Sequence, residues 1–122
     1  MTTQFMTPYD QGDIILVPFP FTDLNQVKKR PALVISKSDF NDHREDVIAV
    51  GVTSDARYLA GTEKDDEFRL IEENLSNSGL PQPSTVKLSK IVTLKKSLIL
   101  KKFGTLSRTS TDTLIEKFIS QF

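Results

Sequence analysis

Two short clusters of polar residues have the types and spacing to handle a phosphate group. Lys28-Lys29-Arg30-Pro31 begins one apolar segment, and Val52-Thr53-Ser54-Asp55 ends another. Proline after Arg30 favours extended backbone, and the guanidinium fork suits phosphate oxygens. The hydroxyls of Thr53 and Ser54 can donate hydrogen bonds to the same group. Each cluster alone is more often a surface charge or a Ser/Thr turn; together, on adjacent strands, they predict a phosphate-handling corner.

Charge is unevenly distributed along the chain, although 16 bases balance 16 acids. Residues 39–73 hold eleven acids and four bases, whereas residues 74–111 hold seven bases and no acid. A basic face is the electrostatic footprint of a phosphate-rich partner. Lysines also protect exposed strand edges from aggregation, and composition alone favours this second interpretation.

Other chemistries find little support in the sequence. His43 is the single histidine, and its acidic neighbours Asp42, Glu45 and Asp46 match no metal-ligand spacing. A solvated acidic loop is the better interpretation. The chain has no cysteine, which excludes disulfides, zinc–thiolate sites and cysteine nucleophiles and fits a reducing compartment. Gly-rich phosphate loops and a Gly-x-Ser-x-Gly elbow are also absent. We therefore predict no metal and no cofactor.

The length of 122 residues is that of one domain, and 38% hydrophobic with 26% charged residues is typical of globular chains. No apolar run approaches the ~20 residues that a membrane helix needs. Residues 1–12 lack the charged and apolar regions of a secretory signal. We expect a cytoplasmic protein with an N-terminal arm over residues 1–11 and a single domain over residues 12–122.

Short apolar segments bounded by turn residues predict β-strands. These segments are Asp13–Phe19, Pro31–Ser36, Val47–Thr53, Glu67–Ile71, Ser84–Leu94 and Leu98–Leu106. Parallel crossovers need a dozen or more residues, usually in a helix, and connectors 20–30 and 37–45 show no helical period. We therefore predict a mainly β fold, a small antiparallel barrel of about five to seven strands. The alternation slips around Ser89-Lys90, which indicates a bulge.

The C-terminal segment carries the one clear helical pattern, predicted over residues 110–120. Its apolar face comprises Leu114, Ile115, Phe118, Ile119 and Phe122. Possible N-caps are Ser107, Thr109, Ser110 and Thr111. Near the 20–30 connector, nothing in the chain is obviously reserved to cover Phe19, Phe21 and Leu24. Exposed apolar clusters usually mark interfaces, so we predict a two-fold homodimer with this connector near the interface.

A series of segments in order resembles the PemK/MazF toxin family. They are GDIILVPFPFTD from Gly12, KRPALVIS from Lys29, VGVTS from Val50, GLPQPS from Gly79, VKLSKIVTL from Val86 and FGTLS from Phe103. The similarity covers about residues 12 to 120. The resemblance implies an SH3-like barrel with a C-terminal helix, a homodimer, and a toxin that an antitoxin protein holds inactive.

The resemblance also implies a metal-independent endoribonuclease that cuts single-stranded RNA. In this chemistry the RNA 2′-hydroxyl attacks its own 3′-phosphate, which requires proton transfers and positive charge on the phosphorane. Arg30 and Thr53 match the family's catalytic positions, with Arg30 supplying charge and Thr53 hydrogen bonds. The expected RNA-binding residues are Lys28, Lys29, Ser54, Lys87 and Lys90.

Two alternatives stay open at this stage. Gyrase poisons of the same fold grip a protein partner and tend to use the C-terminal helix, where Phe118, Ile119 and Phe122 could act. A degenerate toxin that binds RNA or antitoxin without cutting is the other alternative, because many family members carry an acid where this chain has Ser89-Lys90.

Overall fold

Six antiparallel strands form one sheet in the computed structural model, which describes residues 8–19 and 28–122. The strands are β1 (Asp13–Phe19), β2 (Lys28–Val34), β3 (Asp46–Thr53), β4 (Glu67–Leu70), β5 (Ser84–Lys95) and β6 (Lys101–Thr105). Their spatial order is β4-β5-β3-β2-β1-β6, and every neighbouring pair is antiparallel. The sheet curls into a half-barrel. The predicted small antiparallel barrel is confirmed.

Three helices accompany the sheet within the described residues: α1 (Ser38–Asp42), α2 (Glu72–Ser78) and α3 (Arg108–Ile119). Two 3₁₀ turns span Ala56–Leu59 and Lys96–Leu98. The predicted C-terminal helix is confirmed and begins two residues earlier than expected. Its N-cap is Ser107, whose hydroxyl accepts the Ser110 N–H at 3.1 Å.

The helices α1 and α2 correct the sequence interpretation, which assigned connector 37–45 to a polar loop and placed no helix between residues 71 and 84. Leu75 is the one strongly apolar residue of α2, so the segment has no apolar period to reveal it. Its stability comes from packing against β4 and β6. The helix ends at Gly79, whose φ of 74° is left-handed.

Two apolar clusters lie on the two faces of the sheet, because successive strand residues point to opposite sides. The first consists of Ile14, Leu33, Val50, Val52, Phe68, Leu70, Val86, Leu88, Leu106 and Leu114. The second consists of Ile15, Val17, Ala32, Val34, Val47, Ala49 and Leu94. Burying each such aliphatic side chain contributes about 1.5–3 kcal/mol, so the two faces together hold the sheet in shape.

The apolar face of α3 covers the first cluster only in part. Leu114 is fully buried, and Ile115 and Phe118 pack against the cluster. Ile119 and Phe122 are 63% and 83% exposed, so the expected apolar face does not pack along its whole length. The helix reaches past the edge of the core at its C-terminal end.

Two details of the strands matter for the site. The strand β2 begins at Lys28, three residues earlier than predicted, so the basic cluster lies within the strand instead of preceding it. The predicted bulge in β5 is confirmed: Val50 pairs with Ile91 while its neighbour Gly51 pairs with Lys87.

The residues expected at the dimer contact lie outside the part of the chain that the structure describes, apart from the backbone of Phe19. Phe21 and Leu24 lie outside the described residues, and so does the side chain of Phe19. The placement of the 20–30 connector at an interface stays a prediction.

Candidate phosphate-handling site

A row of polar residues crosses four neighbouring strands on one face of the sheet. Thr53 of β3 pairs with Thr85 of β5, which pairs with Arg69 of β4. On the other side, the β2–β3 register pairs Ala32 with Gly51. Arg30 and Thr53 each lie two residues beyond this last pair, on the same face as Ala32 and Gly51, because side chains alternate along a strand. Paired residues project to the same side of a sheet, so the fold brings the two sequence-predicted catalytic residues to one row.

The strand β2 fixes the backbone position of Arg30. Arg30 pairs with Val17 of β1, which requires an extended backbone. Pro31 follows Arg30 and favours the same extended geometry. Arg30 itself is partly buried, whereas Lys28 and Lys29 are exposed. Side chains alternate along a strand, so Lys28 shares the face of Arg30 and Lys29 lies on the other face. The two lysines are therefore not equivalent toward a bound phosphate.

A tight turn fixes the hydroxyl of Thr53. The Thr53 Oγ1 accepts the N–H of Asp55 at 3.1 Å, so one lone pair is used by the backbone and the hydroxyl hydrogen can be donated to an oxygen nearby. Ser54, between them, is exposed. This Ser/Thr turn was the ordinary alternative for the cluster, and it also orients the candidate catalytic hydroxyl.

An exposed ion pair continues the same turn. The Asp55 carboxylate accepts three hydrogen bonds from Arg57. The donors are the backbone N–H at 2.9 Å, the side-chain Nη2 at 2.8 Å and the side-chain Nε at 3.1 Å. The hydrogen bonds from the Arg57 side chain, then from its backbone, lower the pKa of Asp55. The hydrogen bond to Asp55 in turn raises the pKa of Arg57. Both groups therefore stay charged.

Lys87 lies next to this row but already has partners. Its Nζ is 3.3 Å from Glu67 Oε2 and 4.0 Å from the centre of the Tyr58 ring, and its side chain is only 15% exposed. Burial raises the pKa of Glu67. The hydrogen bond from the Lys64 N–H, the hydrogen bond from Lys87 and the positive charge of Lys87 lower the pKa by more. The net pKa of Glu67 lies below its ordinary value. Glu67 is thus a buried carboxylate that holds Lys87 in place.

The β5 bulge carries a second polar contact. The hydroxyl of Ser89 donates to Asp66 Oδ2 at 3.2 Å, and the Leu88 N–H donates to the Asp66 carbonyl at 2.8 Å. Lys90, the neighbour of Ser89, is exposed. A carboxylate therefore stands beside Ser89, supplied by the segment before β4 and not by β5 itself.

The acidic loop around His43 carries no metal-binding geometry. The ring Nδ1 lies 2.7 Å from the Asp39 carbonyl oxygen. Among residues 8–19 and 28–122, no group of three or more His, Asp or Glu side chains could hold a metal ion. In the same part of the chain, no helix has the length and apolar character to cross a membrane.

Comparison with known proteins gives the family. The profile of PemK-like, MazF-like toxins of type II toxin–antitoxin systems matches residues 10–122, and the chain therefore belongs to this family. A comparison with curated protein sequences gives no significant match.

Several solved structures share the fold at low sequence identity. An endoribonuclease from Mycobacterial species is 19% identical with a TM-score of 0.69, covering 96% of this chain and 93% of that one. An endoribonuclease in complex with its cognate antitoxin, also from Mycobacterial species, is 18% identical with a TM-score of 0.68, covering 92% of each chain. MazF from Deinococcus radiodurans is 20% identical with a TM-score of 0.69, covering 95% and 97%.

Sequence reasoning missed three residues around the row: Tyr58, Glu67 and Thr85. Thr85 could have been found, because it alternates with the buried Val86 in β5 and so shares the face of Lys87. The other two gave no signal. A buried acid in a short strand and a tyrosine in a polar loop acquire meaning only through partners distant in sequence.

Proposed function

We propose that this chain is an endoribonuclease toxin that cuts single-stranded RNA. The observation that carries the proposal is the position of Arg30 and Thr53 on one face of the sheet, each two residues beyond the Ala32–Gly51 pair. Family membership supports it, because the family consists of toxins of type II systems. Solved relatives of the same fold, named as endoribonucleases, support it further.

The proposed reaction needs no group beyond the RNA and the protein. The RNA 2′-oxygen loses its proton and attacks the adjacent phosphorus, the bond to the 5′-oxygen breaks, and that oxygen takes up a proton. The products are a 2′,3′-cyclic phosphate and a free 5′-hydroxyl. Arg30 stabilises the negative charge of the phosphorane with its bidentate fork. Thr53, whose Oγ1 already accepts the Asp55 N–H, donates its own hydrogen to a phosphate oxygen.

The flanking cations bind the RNA backbone in this proposal. They are Lys28, Lys29, Lys87 and Lys90, and Ser54 adds a hydroxyl. Lys28 shares the face of Arg30, so we expect it to contribute more than Lys29 does. Binding through phosphates releases counterions, so RNA affinity should fall steeply as salt rises. An affinity for single-stranded RNA that does not depend on salt would contradict these assignments.

The assembly is also a proposal. We expect a cytoplasmic homodimer, inhibited by a cognate antitoxin, as in the relative solved with its antitoxin. Each subunit would comprise an arm over residues 1–11 and one domain over residues 12–122. Sedimentation that shows only monomer at micromolar concentration would contradict the homodimer.

One observation favours a second candidate function, the binding of a protein such as gyrase. Ile119 and Phe122 are 63% and 83% exposed at the end of α3, and exposed apolar residues grouped together mark interaction sites. A toxin of this kind would bind its partner without cutting RNA. Ser89 in place of the family acid would be consistent with a chain that binds RNA or antitoxin without cleaving it.

A single assay separates these candidates. Purified protein is incubated with a long RNA in the presence of EDTA, and the product ends are mapped. We expect discrete cuts that leave 2′,3′-cyclic phosphates, at the same rate with and without EDTA. Intact RNA that nevertheless binds the protein would favour a degenerate toxin, and the absence of both cutting and binding would favour the protein-binding candidate.

A further inference from the structure

We propose that Tyr58 and Arg57 form a platform on which a nucleobase next to the cleaved phosphate stacks. This inference rests on the proposed function, since it names a base-binding site beside the same row. An aromatic ring or a guanidinium plane is the usual surface for an unpaired RNA base. Here both are present, side by side, on the turn that follows Thr53 and Ser54.

The backbone of this turn is held from two sides. The Tyr58 N–H donates to the Asp55 carbonyl at 3.0 Å, and the Thr85 hydroxyl donates to the Tyr58 carbonyl at 3.1 Å. Thr85 belongs to the polar row and pairs with Thr53. The backbone of Tyr58 is therefore anchored directly to the row, and its side chain is partly exposed.

Two cations lie over the Tyr58 ring. Lys87 Nζ lies 4.0 Å from the ring centre, and the Arg57 guanidinium carbon lies 5.9 Å from it. Glu67 holds the lysine, and Asp55 holds the arginine, whose side chain is 82% exposed. The guanidinium is thus paired with Asp55 and open to solvent, so its plane is accessible to a stacked base.

The position of the platform suits a nucleotide adjacent to the bound phosphate. Thr85 and Lys87, the residues that contact Tyr58, pair with Thr53 and Gly51 of β3. The platform therefore lies over β5, one strand from Thr53 and two strands, or about 10 Å, from β2. If the phosphate binds between β2 and β3, the base of the neighbouring nucleotide can reach the platform across this distance. Because stacking strength sets preference at such sites, we expect a purine to be favoured there.

The test compares Tyr58→Leu with Tyr58→Phe. Leucine keeps an apolar cover over Lys87 and removes the π-surface, whereas phenylalanine keeps the ring. The cut site is first mapped, and a fluorescein-labelled RNA spanning it is made with 2′-deoxyribose at the cleaved position, so that it binds without being cut. We expect Tyr58→Leu to bind this RNA roughly 5- to 150-fold more weakly, to lose the purine preference in the mapped ends, and to keep its stability in urea. Tyr58→Phe should restore binding and preference.

Tyrosine emission gives an independent readout. The chain has two tyrosines and no tryptophan, so Tyr9→Phe leaves Tyr58 as the one emitter at tyrosine wavelengths. We expect saturable quenching of this emission as unlabelled RNA is added, with the same midpoint as the fluorescein titration.

The outcomes separate this proposal from the proposed function. Equal RNA affinity of wild type and Tyr58→Leu, or Tyr58 emission that saturating RNA leaves unchanged, overturns the platform even if the protein cuts RNA. If wild type binds short RNA but never cuts it, the endoribonuclease proposal fails, and the same Leu-to-Phe comparison, made with that RNA, still decides the platform. A wild type that binds no RNA overturns both.

Discussion

Asp13 and Glu67 are both buried carboxylates that pair with a lysine, but the two lysines have different surroundings. Asp13 of β1 lies 3.4 Å from Lys102 Nζ of β6, and it also accepts the Thr105 hydroxyl at 2.6 Å. Glu67 of β4 lies 3.3 Å from Lys87 Nζ of β5. Asp13 and Glu67 are only 1% and 3% exposed, and each lysine comes from the neighbouring strand.

The surroundings of the two lysines decide what each pair does. Lys102 is 35% exposed on an edge strand, so its pair with Asp13 fastens β6 to β1. Lys87 is 15% exposed and faces the Tyr58 ring beside the polar row. The Asp13 pair should therefore affect stability alone, whereas the Glu67 pair should affect stability and RNA binding together.

The largest effect on stability should come from Asp13→Ala. The substitution leaves Lys102 and the Thr105 hydroxyl without their carboxylate, and the loss of a hydrogen bond to a charged group costs about 1.5–3 kcal/mol. Urea unfolding measures the loss. Asp112→Ala is the control, because it removes the exposed Arg108–Asp112 pair and should cost less than about 1 kcal/mol. Similar values for the two variants would contradict the fastening role of Asp13.

The largest effect on the reaction should come from Arg30→Ala. Loss of a charge-assisted contact to the phosphorane should slow RNA cleavage about a hundred- to thousand-fold, or ~3–4 kcal/mol. Arg30→Lys should restore only part of the rate, because an ammonium cannot reproduce the bidentate fork. Rates are compared on one RNA at matched stability in urea, and equal rates for Arg30→Ala and wild type would remove Arg30 from the mechanism.

A smaller effect on the same reaction should follow Thr53→Val, which keeps the shape and removes the hydroxyl. One hydrogen bond to a charged oxygen contributes about 1.5–3 kcal/mol, so we expect cleavage to slow roughly ten- to a hundred-fold. Thr113→Val is the matched control, since the Thr113 hydroxyl bonds only to its own helix, at Thr109. If both variants cut RNA at the same rate, Thr53 has no role in the chemistry.

The smallest effect should come from Glu67→Gln, because the amide keeps one acceptor oxygen, either for the Lys64 N–H, which now bonds to Oε1, or for Lys87 Nζ, which now bonds to Oε2. Its signature is the dependence on pH. The pKa of folded Glu67 lies below the ordinary value of 4.5, so the stability that its charge provides is present above that pH and is lost as pH falls through the folded pKa.

Urea unfolding at several pH values tests this prediction. The free energy of unfolding of wild type should exceed that of Glu67→Gln most near neutral pH, and this difference should shrink below about pH 4.5. A difference that grows in acid would mean that Glu67 is protonated in the folded protein. At neutral pH, Glu67→Gln should also weaken RNA binding, whereas Asp13→Ala should leave the RNA affinity of its folded fraction unchanged.

The sequence predicts the sheet well, because a buried strand must alternate or run apolar, and that pattern is local. The bulge near Ser89-Lys90 is visible for the same reason, as a slip in the alternation of β5. Arg30 and Thr53 are also recognisable locally, Arg30 from the Pro31 that follows it and Thr53 from its position at the end of an apolar strand.

The residues that surround the site were beyond sequence reasoning because their roles depend on pairing. Glu67 is indistinguishable in the sequence from the acids beside it, and only the pairing of β4 with β5 sets it against Lys87. Tyr58 reads as part of a polar excursion until Thr85 holds its carbonyl. The helix α2 was missed because tertiary packing, and not an apolar period, stabilises it.

The sheet has two free edges among its described strands, β4 and β6, and α2 joins them by packing against both. The contact is backbone to backbone: a Cβ on Gly79 would lie 2.1 Å from the Phe103 carbonyl oxygen, and one on Gly104 would lie 2.3 Å from that of Asn77. This seam is closed by steric fit and not by a hydrogen-bonded ladder. Local unfolding should therefore begin there, with amide protons of β4 and β6 exchanging with solvent before those of the central β3. The half-barrel would open by separation of β4 from β6 along this seam, while the central strands β2 and β3, which carry Arg30 and Thr53, stay folded.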